Sequence, residues 1–564
     1  MSRLVVSTTI AALALAAGAA AAAPLFTESA TFIPRPQPCG AGATEGCYSN
    51  YVALADLDGD GDLDAVVASG GGYYTPSTTA PMAVYENTGT GFAARAASFA
   101  NFAGRLRQIA IGDVDGDDDL DVIAPDSWAM QPDAVFVNGG DWRFTDDGAA
   151  RLGTSSRAGA ARLGDLDGDG DLDLVLSDWG DDPPSSASRI RVYANDGTGH
   201  FVETQGAVPA TTAGGTGTGP VDVDLADLDG DFALDLIVAS RVGESLFYRN
   251  DGDGTFTAAG ADLPDQPGPY VYGPDACDVD GDGDLDLWLD GGGADSAEQL
   301  MINDGAGHFT DETAARVSGN GSDDDNEVQC ADLDGDGDLD AVVASLSGNE
   351  RLLVNDGTGR FAAAPDAFPT VRDATLGLDL GDLDGDGRLD AITAQGEIMP
   401  YLNRLYLGAA AQPVDTVAPR LRGIEPRVVT RAGRTAIRVA LSDRATSDSG
   451  PRLRTVELEV PGHGRLAARF VGGDLYRAVV DGPLPASLSV TVHATDASGN
   501  VAAIPAPPIE VDTEGPRDAG GHEIGIAPVD DKGGCCGTNR QPPALAVALV
   551  ALAIGLRRRR LPSD

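Results

Sequence analysis

Lysine is almost absent: Lys532 is the only one in 564 residues, and the formal net charge is −50. A chain so acidic lacks the basic footprint that nucleic acid requires, which excludes that partner. Histidine is scarce as well, with His200, His308, His463, His493 and His522 the only five. His200 and His308 occupy the same variable position of a repeated turn, where exposed side chains are expected. No Gly-x-Ser-x-Gly elbow, His-Glu-x-x-His helix or phosphate loop occurs, so the chain is not read as an enzyme. Long apolar runs are confined to the two ends.

Aspartate is abundant, and its placement is periodic. A nine-residue acidic phrase begins at Asp56, Asp113, Asp165, Asp227, Asp278, Asp332 and Asp382, with successive starts 57, 52, 62, 51, 54 and 50 residues apart. A fixed period of this size marks an array or propeller of similar units. Positions one, three, five and nine of the phrase are Asp in every copy. These residues are Asp56, Asp58, Asp60 and Asp64; Asp113, Asp115, Asp117 and Asp121; Asp165, Asp167, Asp169 and Asp173; Asp227, Asp229, Asp231 and Asp235; Asp278, Asp280, Asp282 and Asp286; Asp332, Asp334, Asp336 and Asp340; and Asp382, Asp384, Asp386 and Asp390. Carboxylates at alternate positions repel one another, and a hard divalent cation with oxygen ligands resolves that repulsion. Calcium accepts six to eight such ligands in flexible geometry, whereas magnesium keeps its waters. Up to seven structural calcium ions are therefore expected. Asp118 and the extra Asp at position seven read as ordinary surface charge.

Position four is Gly throughout and position six is Gly in five copies, as expected for a backbone that turns sharply. Phe232 breaks the pattern at position six, where positive φ costs a non-glycine residue about 1–2 kcal/mol. The fourth site is therefore expected to bind most weakly. The bidentate Glu that closes an EF-hand at position twelve is missing. Val67, Ala124, Leu176, Val238, Leu289, Val343 and Thr393 stand there, within short apolar runs that read as buried strands. An Asn-Asp-Gly-x-Gly-x-Phe turn follows most copies, as at Asn195 to Phe201 and Asn303 to Phe309, and signals a hairpin. The seventh unit reaches Asn403 without the strand that follows, and Phe26 near the N-terminus is expected to supply it, closing a seven-bladed ring.

The acidic loops on apolar strands resemble FG-GAP/VCBS repeats, as in the integrin α-subunit propeller, over about residues 25–406. The resemblance implies a seven-bladed β-propeller with calcium in the blade hairpins. It also implies that the four Asp of each phrase are side-chain ligands, with calcium structural rather than catalytic.

The expected organisation is a signal peptide over 1–23, the propeller over 24–406, a linker over 407–415, and a β-sandwich over 416–512. A flexible stalk with a Cys motif follows over 513–541, and a short apolar helix with an Arg-rich tail over 542–564. The fold class is thus all-β. Segments such as 435–441, 456–460 and 488–494 alternate like strands and resemble an immunoglobulin-like module. Cys535-Cys536, the apolar run and Arg557 to Arg560 resemble the sorting signals of myxobacterial surface proteins; a plain single-span anchor is the alternative. Export fits both calcium and disulfides. Cys39 and Cys47 are expected to pair, while Cys277 and Cys330 fit either a bridge between units or two buried thiols. Twelve Arg against six acidic residues between Arg420 and Arg477 could form a basic face that docks the acidic propeller or binds anionic envelope lipids; a composition bias, in line with the near-absence of lysine, is the preferred reading.

The resulting expectation is an exported, surface-anchored, calcium-stabilised binding or adhesion protein for an extracellular glycan or protein. The alternative is a secreted carbohydrate-active enzyme, a polysaccharide lyase or hydrolase on a VCBS scaffold. Ligand-contacting loops are expected around Ser69 to Pro81, Trp128, Trp179 and Gly214 to Gly219.

Overall fold

The computed structural model describes residues 23–512, apart from 36–45, 71–78, 96–97, 100–101, 129–131, 141, 154, 180–187, 210–218, 242, 261, 265–269, 293–296, 372–373, 397–398, 432 and 447–449. The signal peptide, Cys39, the stalk and the tail from Cys535 to Arg560 lie outside the described residues, as do most of the first insert and the 214–219 stretch. Cys47 is disulfide-bonded.

Each acidic phrase joins the first two strands of a four-stranded antiparallel sheet. In the third sheet the strands are Ala158–Gly164, Asp173–Asp178, Arg189–Asn195 and Phe201–Glu203, hydrogen-bonded in chain order. Seven such sheets contain the seven phrases, and the sixth gains a short parallel strand, Val317–Ser318. Second strands such as Asp64–Ser69 and Asp235–Ser240 are buried at every residue. A sheet covered on both faces needs such continuous apolar runs rather than alternation.

The core lies between neighbouring sheets. Val66 and Phe136 pack across the first and second, and Leu176 and Ile123 across the second and third. Leu54 and Tyr85 of the first sheet pack with Ile392 and Leu405 of the seventh. The innermost strands follow the same cyclic order, since Ser49–Ala55 packs against both Ala110–Gly112 and Thr375–Gly381.

The seventh sheet is completed by the N-terminal strand Phe26–Glu28, which pairs with Arg404–Gly408. Phe26 lies opposite Gly408 just as Phe309 lies opposite Asn303, as the sequence comparison of these segments anticipates. The position equivalent to the hairpin Asn is therefore Gly408, not Asn403. Asn403 instead accepts a hydrogen bond from Gln395 N at 3.1 Å. Cys277 and Cys330, left open between two arrangements by sequence, form a disulfide joining the innermost strands of the fifth and sixth sheets.

Residues 420–512 form two further sheets, one containing Arg434–Ser442 and Leu475–Asp481 and the other Thr455–Val460 and Thr491–Thr495. Ile437, Val439, Leu458, Val480 and Val492 share one core between them. Among the described residues no helix is long and apolar enough to cross a membrane.

Candidate metal centres and the face that covers them

All seven acidic hairpins repeat one hydrogen-bond scheme. The Gly at position four donates its N–H to the Asp at position one, from Gly116 to Asp113 at 2.7 Å through Gly59 to Asp56 at 2.9 Å. The N–H at position two donates to the Asp at position nine, as Leu166 does to Asp173 at 2.9 Å and Leu383 to Asp390 at 2.8 Å. The position-five Asp accepts the N–H of position seven, at 2.9 Å in Asp60 and Asp386. Ala233 and Arg388 at position seven make this backbone bond as Asp does, so the hairpin geometry does not need a carboxylate there.

These bonds turn the remaining carboxylate oxygens inward. Ligand oxygens of Asp56, Asp58 and Asp64 lie within 4.8 Å of one another, as do those of Asp113, Asp115 and Asp121, and of Asp165, Asp167 and Asp173. In the fourth hairpin the converging set is Asp227, Asp229 and Asp231. Position five thus stands apart from the named sets of the first three hairpins, held in its own turn.

The electrostatics of each cluster are unfavourable without a cation. Burial pushes the position-nine carboxyls up to about 8 at Asp64, Asp173 and Asp235, and to about 7 at Asp121, Asp286, Asp340 and Asp390. Two backbone N–H donors and the neighbouring carboxylates act on top of that burial, in opposite directions. Oδ1 of Asp115, Asp229 and Asp280, and Oδ2 of Asp165, are buried without a hydrogen-bond partner. Unpaired buried oxygens beside ionisable neighbours are the donor set a hard cation takes, so the residues present fit calcium.

Two sets of residues that the sequence reading did not place complete this picture. The first is the Asn that opens each hairpin turn. Asn195 N donates to Asp173 Oδ1 at 2.8 Å, while its Nδ2 donates to Leu172 O at 3.0 Å and to Val114 O of the preceding sheet at 2.8 Å. Asn138, Asn250, Asn303 and Asn355 reach back in the same way, and Asn87 reaches Leu383 O of the seventh sheet at 2.9 Å. The turn residue is therefore a clamp between sheets. Its recurrence 15 to 23 residues after the last Asp of the phrase was the available signal.

The second set is the arginines of 420–477, read from sequence as a composition bias. The structure corrects that reading, because these side chains close over the acidic hairpins. Arg454 donates to Gly61 O at 2.7 Å, Arg420 to Gly337 O at 2.8 Å, Arg422 to Gly283 O at 3.3 Å, and Arg444 to Asp332 O at 2.8 Å. Arg469 pairs with Asp118 at 2.7 Å, so Asp118 is an interface residue as well as a surface charge. Position six takes positive φ at Gly61 (95°), and a Cβ there would lie 2.7 Å from Arg454 Nη2. Glycine takes that φ without strain and leaves room for the guanidinium.

Phe232 holds φ at 66° in the fourth hairpin, and its ring joins the core formed with Ala440, Val471 and Leu475. Here an apolar wedge takes the place of an arginine contact. Backbone bonds add to the cover, with Asp165 N donating to Val471 O and Asp332 N to Arg444 O, both at 2.8 Å.

The connections between second and third strands leave from the opposite ends of the sheets. There Trp128 and Trp179 meet edge to face at 6.1 Å, and Trp179 Nε1 donates to Ser127 O at 3.0 Å. Tyr270 and Tyr272 stack at 6.5 Å on the same side, Tyr270 being exposed. His308 sits exposed in its turn beside Asp304.

Repeated four-stranded antiparallel sheets, one per acidic hairpin and packed in cyclic order, define a repeat protein of the β-propeller class. The family model for the FG-GAP-like repeat matches residues 56–124, 184–238, 227–289 and 332–393. No curated protein matches the sequence. Among solved structures, the BP39L lectin from Burkholderia pseudomallei is similar at a TM-score of 0.42 and 16% identity, over 64% of this chain and 97% of that one.

Proposed function

We propose that the protein is an exported, cell-surface binding protein. Its frame is a seven-bladed propeller over 24–406 with calcium in up to seven hairpins, followed by an immunoglobulin-like sandwich over 416–512. The stalk and Arg-rich tail attach it at the surface. The ligand is an extracellular glycan or protein, and calcium supports the frame without taking part in chemistry.

One observation carries this reading: the acidic hairpins are covered by the arginine-bearing sheets, and among the described residues no hydrogen bond joins those sheets to the loops at the other ends. A metal centre capped by its own chain supports stability rather than turnover. The uncovered side carries aromatic side chains, with Tyr270 exposed and Trp128 half-buried, which suits apolar sugar faces or a protein side chain. A glycan array with calcium and with EGTA, beside a polysaccharide-degradation assay, tests it. Retention in calcium without release of fragments is expected. Release of shortened chains would favour the enzymatic alternative, and no retention on any glycan would leave a protein ligand as the reading to test by surface capture.

A further inference from the structure

Three arginines outside the covering region also touch the acidic hairpins, and all three meet the same position of the phrase. Arg151 Nη2 lies 3.1 Å from Asp115 Oδ2, Arg249 Nη1 2.7 Å from Asp229 Oδ2, and Arg316 Nη1 3.3 Å from Asp280 Oδ2. Each of these Asp stands at position three.

The same guanidinium crosses to the following sheet. Arg151 donates to Thr198 O, Arg249 to Ala306 O at 2.6 Å, and Arg316 to Thr358 O at 2.9 Å. All three acceptors lie in the turn between the third and fourth strands of that next sheet. A further carboxylate, just beyond the fourth strand of the arginine's own sheet, completes the set: Asp147 at 3.1 Å from Arg151, Asp262 at 3.3 Å from Arg249, and Glu312 beside Arg316.

The chain reaches this arrangement from two different places. Arg151 and Arg316 end the short helices Gly148–Arg151 and Thr313–Arg316, whereas Arg249 belongs to the third strand Leu246–Asn250. Repetition of one unit does not account for a guanidinium brought to one spot from two unrelated positions.

The consequence for the carboxylate shows in its other oxygen. Oδ2 is held by the arginine, and Oδ1 of Asp115, Asp229 and Asp280 is buried without a partner. Asp115 and Asp229 also belong to the converging sets of their hairpins. In the remaining hairpins Asp58, Asp167 and Asp334 are exposed and Asp384 is half-buried, and among the described residues no arginine pairs with any of the four. The third hairpin shows the junction without an arginine: a Cβ at Gly254, in the turn of the fourth sheet, would lie 3.4 Å from Asp167 Cβ.

Groups that hold a metal's ligands from outside fix the direction in which those ligands point. Asp147, Asp262 and Glu312 offset the guanidinium charges, so each arginine aims an oxygen into the cage without adding an unbalanced positive charge beside it. We propose, on the reading that the hairpins hold calcium, that Arg151, Arg249 and Arg316 are positioning residues for the second, fourth and fifth sites. They hold Oδ1 of position three toward the ion and tie the site to the turn of the next sheet. The seven hairpins thus fall into a braced and an unbraced class.

The fifth hairpin, with Gly283 at position six, is the clearest place to test this. The measurement is the calcium-binding curve of the full chain, by equilibrium dialysis over a series of buffered free calcium concentrations. Arg316→Gln and Arg151→Gln are each expected to move one bound calcium to about ten- to a hundredfold higher free calcium. Arg316→Lys should move the same ion by less, since an ammonium keeps the charge but cannot span the three acceptors. Arg360 crosses the same junction, to Ala315 O at 2.7 Å, without pairing with a carboxylate of an acidic phrase, so Arg360→Gln should bind as wild type does. Arginines that only stiffened the junction would, when removed, lower the melting temperature and leave the binding curve in place. Wild-type curves in Arg316→Gln, Arg316→Lys and Arg151→Gln would overturn the proposal and leave calcium in the hairpins standing; no bound calcium in wild type would overturn both.

Discussion

Asn195 makes two buried side-chain bonds, one of which crosses to the preceding sheet. Removing a buried partner leaves Val114 O and Leu172 O without their donor, at about 1–3 kcal/mol each way the loss is shared. Asn195→Ala is expected to lower the melting temperature well beyond a surface substitution, measured by calorimetry. An unchanged transition would remove the clamp from the account. Asp133 supplies a pH dependence away from the hairpins: burial pushes its carboxyl up to about 7 from an ordinary 3.8, despite three donors. Below about pH 4 both folded and unfolded chains hold the proton, so its neutral form costs nothing. Between about 4 and 7 the unfolded chain ionises first, so stability falls as pH rises and levels off above the folded value. The stability difference between Asp133→Asn and wild type should therefore shift toward the variant over that window and stay constant above it. A difference independent of pH would contradict the assignment. Phe232 keeps positive φ for the sake of its packing against Val471 and Leu475, so calcium titration of single-hairpin Asp→Ala variants should find the fourth site weakest.

At the scale of elements, the disulfide between Cys277 and Cys330 links innermost strands of adjacent sheets across 53 residues. Closing a loop of that length restricts the unfolded chain by about 4 kcal/mol in the chain-entropy view. The Cys277→Ala, Cys330→Ala double variant should melt several degrees lower than the oxidised protein; an equal melting point would show that the bridge adds nothing. Arg444 is buried and binds Asp332 O, Gly387 O and Pro413 O, so Arg444→Ala should loosen the cover over the sixth and seventh hairpins. The hairpins and strands were legible in the chain because their signals are local: Asp64 closes a phrase and opens an apolar run within a few residues. The strand exchange at Phe26 was legible too, since its Phe-Thr pair repeats that of Phe309-Thr310. What the arginines touch was not, because Arg454 and Gly61 stand 393 residues apart and only the folded chain brings them together. The same kind of distance hid the partner that Asn195 finds in Val114 O of the neighbouring sheet.

The whole molecule carries a formal charge of −50, and seven divalent ions would reduce it to about −36. Much of that charge is concentrated in hairpins covered by one arginine-bearing surface, so ions bound there and the guanidinium groups would neutralise the same region from two sides. The position-nine carboxylates also hold both strands of each first hairpin and the Asn clamp to the preceding sheet, through Asp173 and its equivalents. Calcium bound at that point would stabilise a strand pair, a sheet junction and the cover together, because sites that do not exist in the unfolded chain convert binding energy into folding energy. Thermal unfolding of the full chain in calcium and in excess EGTA tests this most directly. The account predicts a melting temperature far lower in EGTA, restored by adding calcium back. Superimposable transitions in the two conditions would contradict it.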